Sequence, residues 1–542
     1  MKAVSLLPAV PALLLAVLVL SPILDRAFTV DDTFFLSGAL QAVRDPLHPS
    51  AYDIVWADAP ERVGATGGLL MAWLLVPAVR SSSPEIVAHL IALALFLLAI
   101  ASTVTLAIRL GVPVAWAGVA GILLASTPAA LAMAGTAMAD VPAMALGALG
   151  LERLVAWRDE RRWRQAAGAA LALAAAPLAR PHALLLLGVG ALLLIRDPFS
   201  PRSWFDDGWR VWIPLPAALC ILGSVLLLTW DWTPGAPGVV GVIHRLSAAS
   251  LIGSNGVAFG THWVLAFPLG LAWFALRARE IVRRWWVVAI AAVAAYVALL
   301  ASGAPKAGIA LAAALGFAVL WDILADAWAR RDGTQAILGA WLLVPLVALP
   351  YSHLPAKLNL AAAPAAAILL ARLLAASRPW PSRAVVAVAT SAGVALGGAI
   401  LSADAAFAGL ARRAVTELVE PHTRAGARVW FTPHWGFQWY AERAGAMPLS
   451  IEPPFPVPGD LVVNSRNTAK GAIAARFLLE TYDLAPIARI EDAAFGGRVM
   501  TEGAGFFSSR TGYLPWTWGR EPLDSISLWR IESYKRFPGR AP

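Results

Sequence analysis

The stretch that decides the fold is residues 86–108, IVAHLIALALFLLAIASTVTLAI, closed by Arg109. It holds no Asp, Glu, Lys or Arg. As a helix rising about 1.5 Å per residue it outruns the roughly 30 Å hydrocarbon core of a bilayer. Similar apolar runs recur along the chain, separated by short polar stretches. Candidate spans lie at 4–24, 86–108, 113–132, 141–157, 165–179, 182–195, 211–230, 257–276, 285–302, 306–325, 335–350, 354–373 and 384–402. Composition agrees. Of 542 residues 59% are hydrophobic and 14% charged, against about 45–50% and about 25% in soluble domains. Mean hydropathy is +0.67. These values exclude a disordered, fibrous or ordinary soluble chain. The lone Cys220 excludes a disulfide framework and any cysteine-based zinc or iron–sulfur site.

The formal charge of +9 would point to nucleic acid in a soluble protein. Here it falls in loops. Loops after the even-numbered spans carry Arg109; Arg158, Arg161, Arg162 and Arg164; Arg196, Arg202 and Arg210; Arg277, Arg279, Arg283 and Arg284; Arg330 and Arg331; Arg372, Arg378 and Arg383. The opposite loops carry Arg26, Arg44, Arg62, Arg80, Arg180, Arg245, Lys306 and Lys357. That asymmetry is the positive-inside pattern, and it sets the N-terminus inside. It holds only if Gly64–Val79, a short apolar stretch that starts with Gly64, Gly67 and Gly68, lies along the interface without crossing. The residues 4–24 read as a retained first helix, because no small-residue cleavage site comes cleanly after them.

From Asp404 onward no apolar run is long enough to span. Residues 404–542 read as an extracytoplasmic α/β domain, with strand-like pieces at Arg428–Thr432 and Asp460–Asn464 and a helix-like piece at Gly436–Gly445. Residues 1–403 are the membrane domain, and 25–85 are its first outer loop with juxtamembrane helices. The fold class expected is a polytopic α-helical membrane protein of about thirteen spans with a soluble C-terminal α/β domain. It would sit in the cell (inner) membrane as a multi-pass protein.

The first outer loop is acidic. Asp31-Asp32 directly precedes Thr33-Phe34-Phe35-Leu36-Ser37-Gly38-Ala39-Leu40, a short amphipathic helix with Phe34, Phe35 and Leu40 able to lie on the membrane. Two carboxylates at such a helix start suit catalysis at a fixed depth. They equally suit N-capping, since Asp is a favoured cap.

The arrangement resembles the GT-C superfamily of membrane glycosyltransferases, and within it glycosyltransferase family 39, the protein O-mannosyltransferase and aminoarabinose transferase group. Members read Asp-Glu after one N-terminal span, before a juxtamembrane helix; here Asp31 takes the Asp place and Asp32 the Glu place. Further elements resemble the family in the expected order. They are Arg44-Asp45-Pro46-Leu47-His48-Pro49, Ala139-Asp140-Val141-Pro142, Leu178-Ala179-Arg180-Pro181-His182, Leu354-Pro355-Ala356-Lys357 and the tail segment Val429 to Tyr440. The chain departs at Ala59-Pro60-Glu61-Arg62-Val63-Gly64, which lacks the paired prolines of members; Glu61 stands in for their Glu.

The resemblance implies transfer of a sugar from a polyprenyl-phosphate donor to an extracytoplasmic acceptor: protein, lipid or glycan. A phosphate leaving group needs charge stabilisation, and the acceptor hydroxyl needs a base. Asp31 is the expected base, with Asp32 beside it in the catalytic pair. Asp140, Arg180, Lys357, Glu61 and Arg245 are the expected substrate-binding residues, the cations clamping the phosphate. Attack opposite the phosphate would invert the anomeric carbon. Membrane lipids are expected partners and nucleic acid is not. A divalent metal is left open, because His48, His182 and His353 form no ligand-spaced pair. Arginines and lysines at helix ends also simply snorkel to head groups, and Asp140 also suits an N-cap. The rival functions are a transporter of lipid-linked or polar solutes and a non-catalytic assembly or sensor protein. A transporter would ordinarily keep ionisable groups at mid-membrane and show inverted repeats, and no repeat is visible.

The orientation is testable. A topology reporter fused after Pro542 should be active only in its extracytoplasmic form, and a cytoplasmic signal there would overturn the assigned sidedness.

Overall fold

The computed structural model describes residues 6–63, 68–195, 197–200, 208–231, 248–303, 306–377, 379–468, 472–492, 496–500 and 503–535. Among the described residues helical segments lie along the expected apolar runs. Five helices among the described residues are long and apolar enough to cross a membrane by themselves: Pro84–Arg109, Trp209–Leu228, Ala307–Arg330, Ala356–Ala376 and Ser382–Arg424. Two pairs pass the same test jointly, Val114–Ala125 with Pro128–Ala134, bent by 62°, and Ala249–Leu265 with Leu269–Arg283, bent by 80°. Pro128 accounts for the first bend: it has no N–H to donate and forces Thr127 out of the helical region. Shorter apolar helices lie at Leu7–Ile23, Pro181–Leu194, Trp285–Ala301 and Gly333–Ala348. The chain is a polytopic helical membrane protein.

Residues 64–67 of the ambiguous glycine-led stretch lie outside the described residues. The rest of the stretch forms two short helices, Leu69–Leu74 and Val76–Val79. Together they rise only about 16 Å, too little to cross. Leu69, Met71, Leu75 and Ala78 are buried in the main core.

The helix Asp32–Arg44 was expected to rest Phe34, Phe35 and Leu40 on the membrane. Instead Phe35, Leu36 and Ala39 are buried in protein. Phe35 packs so close to Gly68 that a β-carbon there would lie 2.4 Å from its ring. The tail covers the opposite side, where the Thr33 hydroxyl donates to the carbonyl of Trp435. The last long helix also differs from its expected bounds. It runs past 402 to Arg424, with one π turn at Val415–Val419. Asp404, at the expected domain line, is buried inside this helix and pairs with Arg26 at 2.8 Å.

Beyond the helix the tail forms strands. Two short ones precede it in the outer loop, β1 (Asp53–Val55) and β2 (Pro60–Arg62). The tail strands are β3 (Val429–Phe431), β4 (Met447–Pro448), β5 (Leu461–Ser465), β6 (Tyr482–Glu491), β7 (Gly496–Arg498), β8 (Thr517–Gly519) and β9 (Ser525–Tyr534). Five of them make one mixed sheet in the order β4-β3-β5-β9-β6. β3 runs parallel to β4 and β5, and β9 antiparallel to β5 and β6. Alternation along the strands sorts the side chains. Val429, Phe431, Leu461, Val463, Ile526 and Leu528 pack with Phe437 and with Ala414 and Leu418 of the long helix. Trp430, Val462 and Ile531 face the other way, onto Leu478.

The tail docks on the membrane domain through backbone contact. Gly436 lies in the first turn of the helix Trp435–Arg443, and a β-carbon on it would sit 2.0 Å from the carbonyl oxygen of Phe28. The Phe28 N–H donates to the Tyr440 hydroxyl at 2.9 Å, and that hydroxyl donates to Glu85 at 3.0 Å. His434 contacts the carbonyl of Ala57 at 3.0 Å.

Gly436→Ala should therefore force this seam apart. The expected cost is about 1–3 kcal/mol, typical of overpacking, read as a lowered thermal midpoint in detergent. Gly398→Ala, where nothing lies within 4 Å, should leave the midpoint unchanged or slightly raised. Equal midpoints for the two variants would contradict the close contact.

Candidate functional site

Asp31 occupies the residue before helix Asp32–Arg44, where a capping side chain would sit, and it makes no capping bond. The local chain is held otherwise. The Asp32 N–H donates to the Thr29 carbonyl at 2.9 Å, and the Thr29 N–H donates to the Asp32 carboxylate at 2.8 Å. Between them Val30 adopts a φ of +38°, a strained value for a β-branched residue. Such strain persists only where the surroundings enforce it, and Val30 is buried. The turn aims the two carboxylates apart.

Asp32 points inward. It is buried, and its second oxygen accepts the Ala137 N–H at 2.9 Å. Burial raises its pKa to about 7, although Thr29, Arg26 and Ala137 act against the rise. Asp31 meets Lys357 instead, which closes on it as an ion pair. The Lys357 side chain is 5% exposed and that of Asp31 30%. Burial alone would raise the Asp31 pKa, but Lys357 and Arg180 outweigh it and hold the carboxyl below its ordinary value. Asp31 is thus an ionised carboxylate with an open side.

Lys357 comes from a 3-10 turn, Ala356–Ala362. Its ammonium also lies 3.7 Å from the Met138 sulfur and 5.7 Å from the centre of the Phe507 ring. Arg180 comes directly after the helix Trp163–Ala179 and donates to Asp140 at 2.6 Å. Its guanidinium stands 5.8 Å from the centre of the Phe35 ring. Among the described residues three buried polar groups have no hydrogen-bond partner: Nε of Arg180, Oδ1 of Asp140 and the side-chain amide of Asn359, two residues after Lys357 on the same turn. Buried polar atoms are rarely left unpaired without a reason, an unfilled ligand position among them.

A segment from the tail roofs this cluster. The Ala356 N–H donates to the Phe506 carbonyl at 3.1 Å, and the Leu354 N–H to the Ser509 hydroxyl at 2.8 Å. Ser509 is held at 3.1 Å by Asn255, whose amide donates to the carbonyls of Leu349 at 2.8 Å and Tyr351 at 2.7 Å. Arg510 donates to the Ser352 carbonyl at 3.1 Å. His353 sits in the same loop, and burial, reinforced by Lys357, lowers its pKa to about 4, so it is neutral.

Of the residues expected from sequence, Asp31, Asp140, Arg180 and Lys357 come together. Asp32 is adjacent in the chain but turned into the core. Glu61 is exposed on β2, and no hydrogen bond or ion pair among the described residues joins it to the cluster. Arg245 lies outside the described residues. Sequence reasoning missed Phe507, Ser509 and Asn255; nothing local in Phe506-Phe507 or in Ser508-Ser509 marks a segment that folds back onto residue 357. Among the described residues no three His, Cys, Asp or Glu side chains gather as a metal site. Chemically the cluster offers one reachable base and two cations in a partly dehydrated setting.

No family model matches the chain, and no curated protein matches it. Solved structures do. ArnT from Cupriavidus metallidurans bound to undecaprenyl phosphate aligns over 89% of this chain and 95% of its own, at 18% identity and a TM-score of 0.46. The Archaeoglobus fulgidus oligosaccharyltransferase in the apo form aligns over 82% and 64%, at 12% identity and a TM-score of 0.47. The arabinofuranosyltransferase AftD from Mycobacteria aligns over 98% and 40%, at 16% identity and a TM-score of 0.44. These neighbours are GT-C membrane glycosyltransferases.

Asp32 supplies a test of the inward-facing carboxylate. The folded protein keeps its proton up to about pH 7, whereas the unfolded chain releases it near the ordinary value of 3.8. Between those values the folded state binds more protons, so stability contributed by Asp32 falls as pH rises and is flat above. Asp32→Asn should remove that part of the slope in a series of thermal midpoints from pH 5 to pH 8. An unchanged slope would place the titration elsewhere.

Proposed function

We propose that the chain is a glycosyltransferase that moves a sugar from a polyprenyl-phosphate donor to an acceptor hydroxyl on the outer face of the membrane. The observation that carries this reading is the meeting of Asp31, Arg180 and Lys357, three charged residues from distant parts of the sequence. In the proposed reaction Asp31 accepts the proton of the acceptor hydroxyl. The hydroxyl oxygen bonds to the anomeric carbon while the bond from that carbon to the phosphate oxygen breaks. The departing phosphate keeps the electron pair, and Lys357 and Arg180 stabilise it. Attack from the side opposite the phosphate inverts the anomeric carbon. Lys357 leaves Asp31 for the phosphate as the donor enters, which frees the carboxylate to act as base. The unpartnered Nε of Arg180 and amide of Asn359 are positions for donor oxygens.

The proposal includes the topology. Thirteen spans put the termini on opposite sides; with the basic loops inside, the N-terminus is inside and the sheet-bearing tail from about residue 404 is extracytoplasmic. That orientation puts Asp31, Arg180, Lys357 and the roof formed by 503–514, which meet in the fold, on the outer side. The charged groups within the bundle argue against transport. Asp140 pairs with Arg180, Glu152 with Arg109 at 2.7 Å, and Asp322 with Arg277 at 2.9 Å. Acids tied to arginine in this way are poor carriers for a coupled ion.

Purified Asp31→Asn should turn over a polyprenyl-phosphate sugar about 10²–10⁴-fold more slowly, the usual loss for a positioned base. Because the change also unpairs a buried lysine, donor binding is measured beside turnover. Retained binding with lost turnover is the expected pair of results. Near-normal turnover by Asp31→Asn would sink the assignment.

A further inference from the structure

Away from this cluster, a cavity of about 450 Å³ opens where the long helix meets the helix Trp435–Arg443. Its lining includes Arg412, Arg424, Arg443, Glu420, Val415 and Tyr440. Three guanidinium groups face one carboxylate. Arg424 spends its charge on Glu420. Arg412 is anchored by donating to the Asp25 carbonyl at 3.1 Å, with Glu85 at 3.8 Å. Arg443 is different. Its guanidinium carbon stacks 3.6 Å from the centre of the Trp439 ring, and no carboxylate within 4.0 Å pairs with it among the described residues. Its neighbour Glu442 accepts from Gln438 at 2.7 Å instead. Partial burial lowers the Arg443 pKa, with Glu85 and Glu442 opposing.

Two further features point to a ligand. The helix wall beside the cavity is the π turn Val415–Val419. Such turns widen a helix at a cost in stability and occur often at functional sites. The cavity's height is also fixed. Asp25 lies just beyond the helix Leu7–Ile23, and Glu85 opens the helix Pro84–Arg109. Arg412 touches both, so the cavity stands at the level where hydrocarbon gives way to lipid headgroups.

We propose that this cavity binds the phosphate of an anionic membrane lipid headgroup, held by Arg412 and Arg443. Guanidinium forks match phosphate oxygens in bidentate fashion. Val415 and the Tyr440 ring supply the apolar side that a glycerol backbone would meet. The site is independent of the sugar-transfer reading, because neither arginine contacts the Asp31 cluster.

The full-length protein in detergent, with phosphatidylglycerol, phosphatidylcholine or inorganic phosphate added separately, would be studied by native mass spectrometry. The wild type should retain phosphatidylglycerol in preference to phosphatidylcholine. Arg412→Gln with Arg443→Gln should retain at least about tenfold less, the loss expected for charge-assisted bonds. Should that pair fail to fold, the single Arg443→Gln, which breaks no ion pair, carries the same comparison. Glu420→Gln should retain more than the wild type, because it removes the cavity's one carboxylate. Displacement of the lipid by millimolar inorganic phosphate would support the phosphate chemistry, whereas binding of inorganic phosphate with no retained phosphatidylglycerol would name the free anion as its source and overturn the lipid assignment. Equal retention by wild type and variants, or no preference for phosphatidylglycerol, would overturn the proposal.

Discussion

A lysine ammonium taken out of water must find an anion, and Lys357 finds Asp31. Breaking such a buried pair by removing one partner typically costs about 3–5 kcal/mol. The contact therefore constrains everything that delivers its two ends. One end requires the strained turn at Val30 and the inward lock of Asp32 on Thr29 and Ala137. The other requires the 3-10 turn Ala356–Ala362, kept from relaxing by Phe506 and Ser509. The adjacent acids have thereby taken different tasks. Asp32 fixes the backbone, and Asp31 is left ionised toward a region that holds unpaired polar atoms.

The membrane helices were legible because hydropathy needs no partner to be read. A run such as 86–108 declares its surroundings residue by residue. Charge sidedness predicts that Gly64–Val79 does not cross, and the break near Leu75 in its described part is compatible with that. In the tail, β3 and β5 were visible as short apolar strands. β6 and β9, each ten residues long, were not, because Tyr482–Glu491 is largely exposed and its pattern is mixed. Its strand state comes from pairing with β9, which is a tertiary fact.

The site divided along the same line. Asp140, Arg180 and Lys357 were singled out because the motifs around them resemble those of the glycosyltransferase family; their places at the edges of apolar runs alone suited capping and snorkelling equally well. Phe35 was misread: on its own helix it is an apolar residue facing away from the polar side, and only the stretch at Gly68 and Arg180 turn that face into an interior. Asn255 and Ser509 gave no signal at all. Their bond joins a membrane helix to a tail loop more than two hundred residues later, and neither residue type is rare or oddly placed.

That loop has a consequence for synthesis. Ribosomes make chains from the N-terminus, so Asp31, Arg180 and Lys357 are all in the bilayer before residues 503–514 exist. Until those residues arrive, the turn bearing Lys357 lacks the bonds from Phe506 and Ser509. Nascent chains halted before residue 503 would have every charged residue of the cluster and no finished site. The dependence acts as a check on completeness: competence comes late, once the loop 503–514 has been made and has returned to the turn bearing Lys357.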